Sequence, residues 1–432
     1  AAPALWKAMR RIIFIALFII VAVIIAMSFH QPPMRLMPTP KLFLDGGPNA
    51  FTANPALARS NTIELFYATN RLPVGPRTNR LYAVVPGRDL QLGVSQIRIG
   101  GDQTTWEQIY ALSTGAGDDR RPHLNLETMA ELATLAEGEP LSPGARAWLG
   151  LVNAAIERSA DKDIIIYVHG ANATVERAAG QAAQLRHFTG QNSVVLLFAW
   201  PTAENFLRYP RDVQTAFGAA PQLAKLIELL AVHTKAREID VLTYSAGGMV
   251  GSDGLALVGR KSRVAGAPDP RLGEAYHAAP DADTRGFVDD LRDYAGVATR
   301  VTVAANLNDS ALRLSQLINR ASRAGRPDFA ELSPNATRFL LEANRTQGLD
   351  LLNVRPAAMS GISERAHTFW YDDPWASSDV LLTLLLGLPP AERGLAPGEA
   401  PSGAEYWIFP EDYPARLQTV LAAQRSNAPV AR

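Results

Sequence analysis

Short apolar runs and amphipathic stretches alternate along most of this chain. Residues 163–168 and 193–200 are almost wholly apolar, whereas residues 174–188 carry apolar side chains at helical spacing. A strand that is apolar at nearly every position is typical of a parallel sheet covered on both faces. Repeated alternation of such strands with helices predicts a mostly parallel sheet with helices on both sides.

The remaining predicted elements extend this pattern in both directions. Further strands are predicted at 239–243, 275–279, 300–305 and 349–354, and further helices at 213–233, 247–258, 284–294, 310–322 and 377–388. Upstream, residues 63–68, 81–85 and 91–99 resemble the antiparallel start of a sheet. Residues 118–158 are mainly helix-forming, with breaks at Gly138, Pro140, Pro143 and Gly144, and predict broken helices.

An uncharged apolar stretch lies near the beginning of the sequence, at residues 12–29. At ~1.5 Å per residue it would span ~27 Å, close to the hydrocarbon thickness of a bilayer. Lys7, Arg10 and Arg11 precede it, and positive charge stays on the cytoplasmic side. We therefore expect a single-pass anchor in the cell membrane, with a cytoplasmic N-terminus and the remainder periplasmic or extracellular. A signal peptide, with Ala26 and Ser28 before the cut, is the alternative.

These patterns predict a domain organisation. Residues 1–11 form the cytoplasmic N-terminus, 12–29 the anchor, 30–60 an extended Pro- and Gly-containing linker, 61–388 the α/β domain, and 389–432 an extension packed on that domain.

Composition removes several classes of function. Lys plus Arg and Asp plus Glu both number 42, so no net field attracts nucleic acid. The absence of cysteine excludes disulfides, thiolate metal sites and a cysteine nucleophile. The sequence also lacks an HExxH motif, so a metal hydrolase is disfavoured.

A Thr-Tyr-Ser-Ala-Gly motif at residues 243–247 joins a predicted strand to a predicted helix. In a sharp strand-to-helix turn the serine backbone is strained and its hydroxyl rises above the sheet edge, as in the nucleophile elbow of α/β hydrolases. Ser245 is therefore the candidate nucleophile, although Thr243 is larger than the glycine usual at that position. The competing interpretation is a buried serine that caps the following helix.

A His-Gly-Ala-Asn motif, residues 169–172, ends the preceding apolar strand. In the same fold this loop lies beside the elbow and supplies backbone N–H groups to a developing oxyanion. We expect the N–H groups of Ala246 and Ala171 to form the oxyanion hole, with Asn172 the second choice in the loop. His169 and Gly170 are expected to shape the loop.

Asp309 and His367 follow Ser245 in the acid-then-histidine order of an α/β-hydrolase triad. The acid would hold the imidazole in one tautomer, and the imidazole would take the serine proton. Asp309 could instead be only a helix cap, and His367 only a surface histidine. Asp281 and Asp283, after an earlier strand, are the alternative acids.

Taken together, these motifs resemble a bacterial family of α/β hydrolases, the domain-of-unknown-function family numbered nine hundred. The matching segments are FYATNR at 66–71, YVHGAN at 167–172, FAWP at 198–201, TYSAGG at 243–248, AAPDAD at 278–283 and RVTVAANLNDSALRLS at 300–315. Where the family usually has Gly, His and Met around the nucleophile, this chain has Thr243, Tyr244 and Ala246. The resemblance implies an α/β-hydrolase fold and a serine-hydrolase mechanism without metal or organic cofactor.

Two classes of function remain open from the sequence. The first is a membrane-anchored serine hydrolase acting on a small ester or lipid-like substrate, with thioesters and amides less favoured. The second is a catalytically silent hydrolase-fold subunit of a larger membrane protein complex. Fold alone does not separate them, because function resides in the site.

The charge asymmetry around residues 12–29 gives a testable topology. Protease added to intact spheroplasts should digest the chain from Asn61 onward, because Lys7, Arg10 and Arg11 hold the N-terminus inside. Immunoblotting of the domain measures the digestion. Complete protection until the cells are lysed would contradict this orientation.

Overall fold

A sheet of eleven strands lies at the centre of the computed structural model. The structure describes residues 6, 9–19, 32–44, 59–115, 121–355, 365–399 and 405–427. The spatial order of the strands is β10-β11-β9-β8-β7-β6-β4-β5-β1-β2-β3, and the strands from β5 to β9 pair in parallel. In chain order the strands are β1 (Thr62–Val74), β2 (Leu81–Ile99), β3 (Leu124–Leu135), β4 (Ile164–Val168), β5 (Val194–Phe198), β6 (Ile239–Tyr244), β7 (Leu272–Ala278), β8 (Arg300–Ala305), β9 (Leu349–Asn353), β10 (Ala396–Glu399) and β11 (Glu405–Ile408).

Helices cover both faces of this sheet. The longer helices are α1 (Trp106–Thr114), α2 (Pro143–Arg158), α3 (Val175–Phe188), α4 (Tyr209–His233), α5 (Gly247–Ser262), α6 (Thr284–Tyr294), α7 (Ser310–Asn319), α8 (Pro334–Thr346), α9 (Pro374–Leu386) and α10 (Tyr413–Asn427), and single helical turns lie at Lys41–Leu44 and Phe369–Asp372. Alternate side chains of β4 enter different cores: Ile164 and Ile166 pack with α2, α4 and α5, whereas Ile165 and Tyr167 pack with α3 and α9. The predicted α/β-hydrolase fold class, a mostly parallel sheet with helices on both sides, is confirmed.

The antiparallel part of the sheet differs from the sequence-based prediction. Residues 124–135, predicted to be helical, form β3 and pair antiparallel with β2. Helix-forming residues such as Glu131 and Ala133 lie in a strand here because pairing and burial outweigh intrinsic propensity. The strands predicted at 81–85 and 91–99 are one continuous strand, β2.

The segment before β1 is also more ordered than the predicted linker. Within residues 32–44, Leu36, Met37, Leu42 and Phe43 are buried against the domain. The Met37 N–H donates to Gln184 of α3, and the Leu42 N–H donates to Ser378 of α9. This part of the predicted 30–60 linker is therefore a packed strap over one face of the domain.

The predicted anchor is only partly covered by the described residues. Residues 9–19 are helical, and residues 20–29, which complete the predicted anchor, lie outside the described residues. Within the described ranges, α4 is long and apolar enough to cross a membrane by length and composition. Its Leu223, Leu226, Ile227 and Leu230 belong to the domain core. The anchor at residues 12–29 stays a prediction.

The C-terminal residues contribute to the sheet and to the core. β10 and β11 form an antiparallel pair, and β11 extends the sheet alongside β9. In α10 the side chains of Tyr413, Leu417 and Leu421 are buried.

Close packing between β6 and α5 fixes the end of the central strand. Thr243 is fully buried, and a Cβ on Gly251 would lie 2.3 Å from its methyl carbon. The Thr243 hydroxyl lies 2.8 Å from Nδ1 of His277 on β7, and Nε2 of that ring lies 3.0 Å from the Tyr294 hydroxyl. Thr243, bulkier than the usual glycine, therefore fits because Gly251 leaves space for its methyl group and His277 satisfies its hydroxyl.

This packing predicts a strong coupling between two positions. Gly251→Ala should lower the free energy of unfolding by about 1–3 kcal/mol, since overpacking forces a shift in the core. Thr243→Ser removes the clashing methyl group and keeps the hydroxyl, so it should largely cancel that loss. Urea unfolding of the two single variants and the double variant measures the coupling.

Gly150 provides the matched control. It lies within α2, and a Cβ at this position would meet nothing within 4 Å, so Gly150→Ala encounters no steric obstacle. There the change should raise stability by roughly 0.5–1 kcal/mol through helix propensity. Equal effects of alanine at Gly150 and Gly251 would contradict the packing argument.

Candidate active site

Ser245 lies at the sharp turn between β6 and α5. Its φ of 53° is in the left-handed region, which is uncommon for a residue with a side chain and is the strain expected of an elbow. A Cβ on Gly247 would lie 2.4 Å from the Val168 carbonyl oxygen and 2.5 Å from that of His169. Any larger residue at 247 would push the elbow away from the end of β4.

Three predicted side chains meet above this turn. Nε2 of His367 lies 2.8 Å from the Ser245 hydroxyl, and Nδ1 lies 2.6 Å from a carboxylate oxygen of Asp309. A carboxylate only accepts hydrogen bonds, so Nδ1 carries the imidazole proton. Nε2 is then left to accept the hydrogen bond from the serine.

Asp309 performs both of the roles that the sequence left open. One carboxylate oxygen accepts from the backbone N–H of Leu312 and caps α7, while the other accepts from His367. The carboxyl group is fully buried. The helix cap therefore fixes the orientation in which the carboxylate meets the imidazole.

The alternative acids face other partners. Asp281 accepts from Arg323 and Ser315, both at 2.6 Å, and from the Tyr209 hydroxyl at 2.7 Å. Asp283 caps α6 through the backbone N–H of Gly286. Among the candidate acids, the one in hydrogen-bond contact with His367 is Asp309.

The pKa of His367 reflects competing effects. Burial lowers this pKa, but the charge of Asp309 and its hydrogen bond outweigh burial, and the charge of Asp281 adds to them. The net result is a pKa above the ordinary value of 6.5. The arrangement therefore favours the imidazolium that forms when the histidine takes a proton.

The loop after β4 crosses directly beside the elbow. A Cβ on Gly170 would lie 2.9 Å from Cβ of Ser245, so the loop backbone approaches the nucleophile closely. Nδ1 of His169 donates to the Gly170 carbonyl oxygen at 2.7 Å, and the indole N–H of Trp200 donates to the His169 carbonyl at 2.6 Å. Burial lowers the pKa of His169 to about 3, so this ring is neutral.

Two buried charges that sequence reasoning missed support the same loop. The backbone N–H of Asn172 bonds to the carboxyl group of Asp212, whose pKa burial raises to about 7. Arg71 donates to the carbonyl oxygen and the hydroxyl of Thr202, and that hydroxyl donates to the Ala173 carbonyl. The only sequence signal for Arg71 was its place in the FYATNR motif.

Asn172 consequently presents its backbone N–H to Asp212. Its φ of 54° marks a turn in the loop, directly after Ala171. The sequence suggested Ala171 and Asn172 as oxyanion donors in this loop. Because Asp212 accepts from the Asn172 N–H, Ala171 is the remaining candidate donor. Ala246, the donor expected from the elbow, is fully buried at the start of α5.

Tyr244 covers the imidazole from the side of the elbow. Its ring centroid lies 5.2 Å from that of His367 and 5.7 Å from that of Tyr371. Burial raises the pKa of Tyr244 well above its ordinary value, so the phenol stays neutral. Tyr244 thus packs against the loop that carries His367.

A cavity of about 250 Å³ opens beside the Ser245 hydroxyl. Aromatic rings and polar groups share its wall, including Arg177, Gln181, Tyr209, Tyr244, Ser315, Thr368 and Tyr371. Ala171 and Asn172 also line it, so the loop after β4 faces the same space as the serine. Within the part of the chain that the structure describes, no group of three or more acidic or histidine side chains is arranged to hold a metal ion.

Comparison with known proteins agrees with this architecture. A search of curated proteins gives no match. The family model described as "Alpha/beta hydrolase of unknown function (DUF900)" matches residues 146–366, which span α2 to the residue before His367 and cover about half of the chain. The chain therefore belongs to this family of α/β hydrolases.

Proposed function

We propose that this protein is a serine hydrolase that cleaves an ester through a covalent acyl-enzyme. The observation that carries the proposal is the pair of contacts at His367, 2.8 Å to the Ser245 hydroxyl and 2.6 Å to Asp309. A serine whose only role is to cap a helix does not require a hydrogen bond to an imidazole that is itself bonded to a buried carboxylate.

Each group has a defined step in this mechanism. The Ser245 oxygen attacks the ester carbonyl while its proton passes to Nε2 of His367. The imidazolium then gives that proton to the departing alcohol, which leaves the acyl group on Ser245. Water, deprotonated by the same imidazole, releases the acid and restores the serine. Asp309 holds Nδ1–H throughout.

The tetrahedral intermediate requires donors for its negative oxygen. We assign this task to the backbone N–H groups of Ala246 and Ala171, because the close approach of Gly170 to Ser245 brings the loop to the elbow. Such donors contribute through fixed dipoles in a site that excludes water. Loss of one donor typically costs about 10²–10³-fold in rate.

The cavity favours a compact ester group with polar surroundings. About 250 Å³ lies just below the ~300–1,000 Å³ usual for pockets that enclose whole ligands. It accommodates the reacting end of a substrate, while the rest extends outward. We propose in addition that residues 12–29 anchor the enzyme in the cell membrane, with the domain on the periplasmic or extracellular side.

A fluorophosphonate probe tests the catalytic assignment. Ser245 should become covalently labelled in the detergent-solubilised full chain, since the probe requires an activated hydroxyl and oxyanion donors. Labelling should vanish in Ser245→Ala and fall strongly in His367→Ala. Intact-protein mass spectrometry reads the adduct. Folded protein that stays unlabelled beside an active serine esterase would instead favour the silent subunit of a membrane complex.

The raised pKa of His367 sets the pH dependence. Protonated imidazole cannot accept the serine proton, so labelling should be lost as the pH falls through that pKa. The loss should therefore begin at higher pH than for an ordinary histidine of pKa ~6.5. Asp309→Asn should move the midpoint downward, because burial then acts without the opposing charge. It should also slow labelling by as much as ~10⁴-fold.

Asp281→Asn is the matched control for that experiment. It should change the labelling rate far less than Asp309→Asn, because Asp281 does not contact the imidazole. It should lower thermal stability more, since it leaves Arg323 buried without its charged partner. At position 309, by contrast, asparagine can still cap α7. A larger rate loss for Asp281→Asn would transfer the role of the acid to Asp281.

A further inference from the structure

The packed strap enters the domain at the rim of the Ser245 cavity. Arg177, which lines that cavity, donates from Nη2 to the Pro32 carbonyl oxygen at 2.6 Å. Two residues later, Cγ of Met34 lies 3.2 Å from the position of a Cβ on Gly180 of α3. Leu36 and Met37 continue into the core. Residue 32 is therefore held beside the active site.

This attachment limits the distance between the cavity and the proposed anchor. The apolar stretch ends at Phe29, three positions before Pro32. At no more than ~3.6 Å per residue, those positions span at most about 11 Å. If residues 12–29 cross the bilayer, the rim at Arg177 lies close to the membrane surface.

A second, independent feature of the same rim is the outer face of α7. Ala311 lines the cavity, and Leu314 and Ile318 follow it at helical spacing along one face of the helix. Leu314 is 43% exposed, Leu317 71% and Ile318 43%. On the same helix Leu312 and Ser315 are buried, and both line the cavity together with Ala311. Large apolar side chains thus lead outward from the mouth of the cavity.

Arginines predominate on this face, and Glu331 is the acidic side chain that lines the same depression as Arg313, Leu317 and Arg320. No acidic residue occurs between Asp309 and Asp328, whereas arginines stand at 313, 320, 323 and 326. Arg323 is buried in its ion pair with Asp281. Arg313 and Arg320 are exposed beside the apolar residues of α7. Apolar side chains flanked by arginine are typical of a helix that lies in the interface of an anionic bilayer.

We propose that the outer face of α7 docks on an anionic membrane surface and that the substrate is an amphiphilic ester resident in that membrane. This inference rests on the proposed function and adds its substrate class. The headgroup end would lie near Arg177, which lines the cavity, and the ester carbonyl would reach Ser245. The compact cavity then needs to hold only the reacting ester, since the remainder stays in the bilayer.

The depth of α7 in the membrane can be measured directly because the chain contains no cysteine. The full-length Leu317→Cys variant, also carrying Ser245→Ala, is labelled with the fluorophore NBD and reconstituted into vesicles. These contain phosphatidylcholine alone or with phosphatidylglycerol. We expect a blue shift and quenching by doxyl-labelled lipid in vesicles with phosphatidylglycerol, and less of both without it.

Val264→Cys is the matched control. Val264 is 64% exposed and follows the C-terminal end of α5. Because α5 begins beside Ser245 and its sixteen residues extend about 24 Å, Val264 lies at the far end of the domain. It should show neither response. Docking is overturned if the label at 317 behaves like that at 264. It is also overturned if the label at 317 shows a blue shift without quenching by doxyl-labelled lipid, which would indicate self-association.

Charge reversal links docking to turnover in the enzyme with Ser245 intact. The double variant Arg313→Glu/Arg320→Glu should reduce the rate of hydrolysis of an ester lipid in phosphatidylglycerol vesicles by at least about 25-fold. Each arginine that is removed should weaken membrane binding by about fivefold. Hydrolysis of a soluble short-chain ester should not change. Arg260→Glu with Lys261→Glu, at the far end of α5, should leave both activities unchanged. Equal losses on both substrates would overturn the docking model.

The two proposals fail in distinguishable ways. Insertion of the fluorophore at position 317 needs no catalysis, and fluorophosphonate labelling of Ser245 needs no membrane. A labelled serine with no lipid contact at 317 would leave the hydrolase in place and remove the membrane-resident substrate. Lipid contact without serine labelling would support a membrane-bound protein that lacks hydrolase activity.

Discussion

The close approach of the α5 N-terminus to the end of β4 is the constraint on which the rest of the site depends. Gly247 leaves room for the carbonyl oxygens of Val168 and His169 where a Cβ would lie within about 2.5 Å of both. That contact forces Ser245 into the left-handed region and brings the loop at Gly170 against it. The strain of the serine and the position of the loop therefore have one common cause.

The two buried aspartates near this elbow show how environment separates chemical roles. Asp281 is surrounded by Arg323, Ser315 and Tyr209, which together satisfy its charge and hold it in place. Asp309 has one oxygen committed to the cap of α7 and the other to His367. The charge of Asp309 thus acts mainly on the imidazole, while that of Asp281 acts mainly on the surrounding structure.

Much of the parallel half of the fold could be predicted because its strands are apolar on both faces. The strands at β4, β5 and β6 were located to within one or two residues, and the family resemblance agrees with the match to the family model. β3 was missed because its residues favour helices and only pairing with β2 makes them a strand. The strap at 32–44 was missed because long-range contacts of Leu36 and Phe43 bury a segment that locally resembles a linker.

At the candidate site, the order of the three residues along the chain was more informative than the sequence of any single motif. Ser245, Asp309 and His367 were selected because they occur in the order that the fold requires, and their side chains meet in the structure. Their catalytic role remains a prediction. Arg71 and Asp212 could not be selected from the sequence. No characteristic motif spacing identifies a buried charged residue whose role is to support a loop.

The departures from the usual elbow sequence are accommodated by packing. Gly251 and His277 accommodate Thr243 behind the strand, so its bulk does not reach the nucleophile. Tyr244 faces the opposite core, where it packs on His367, Trp370 and Tyr371. An aromatic ring against the imidazole excludes water from that side, and exclusion of water strengthens the electrostatic effect of nearby charges. The Tyr244 ring therefore strengthens the influence of the Asp309 charge on the pKa of His367.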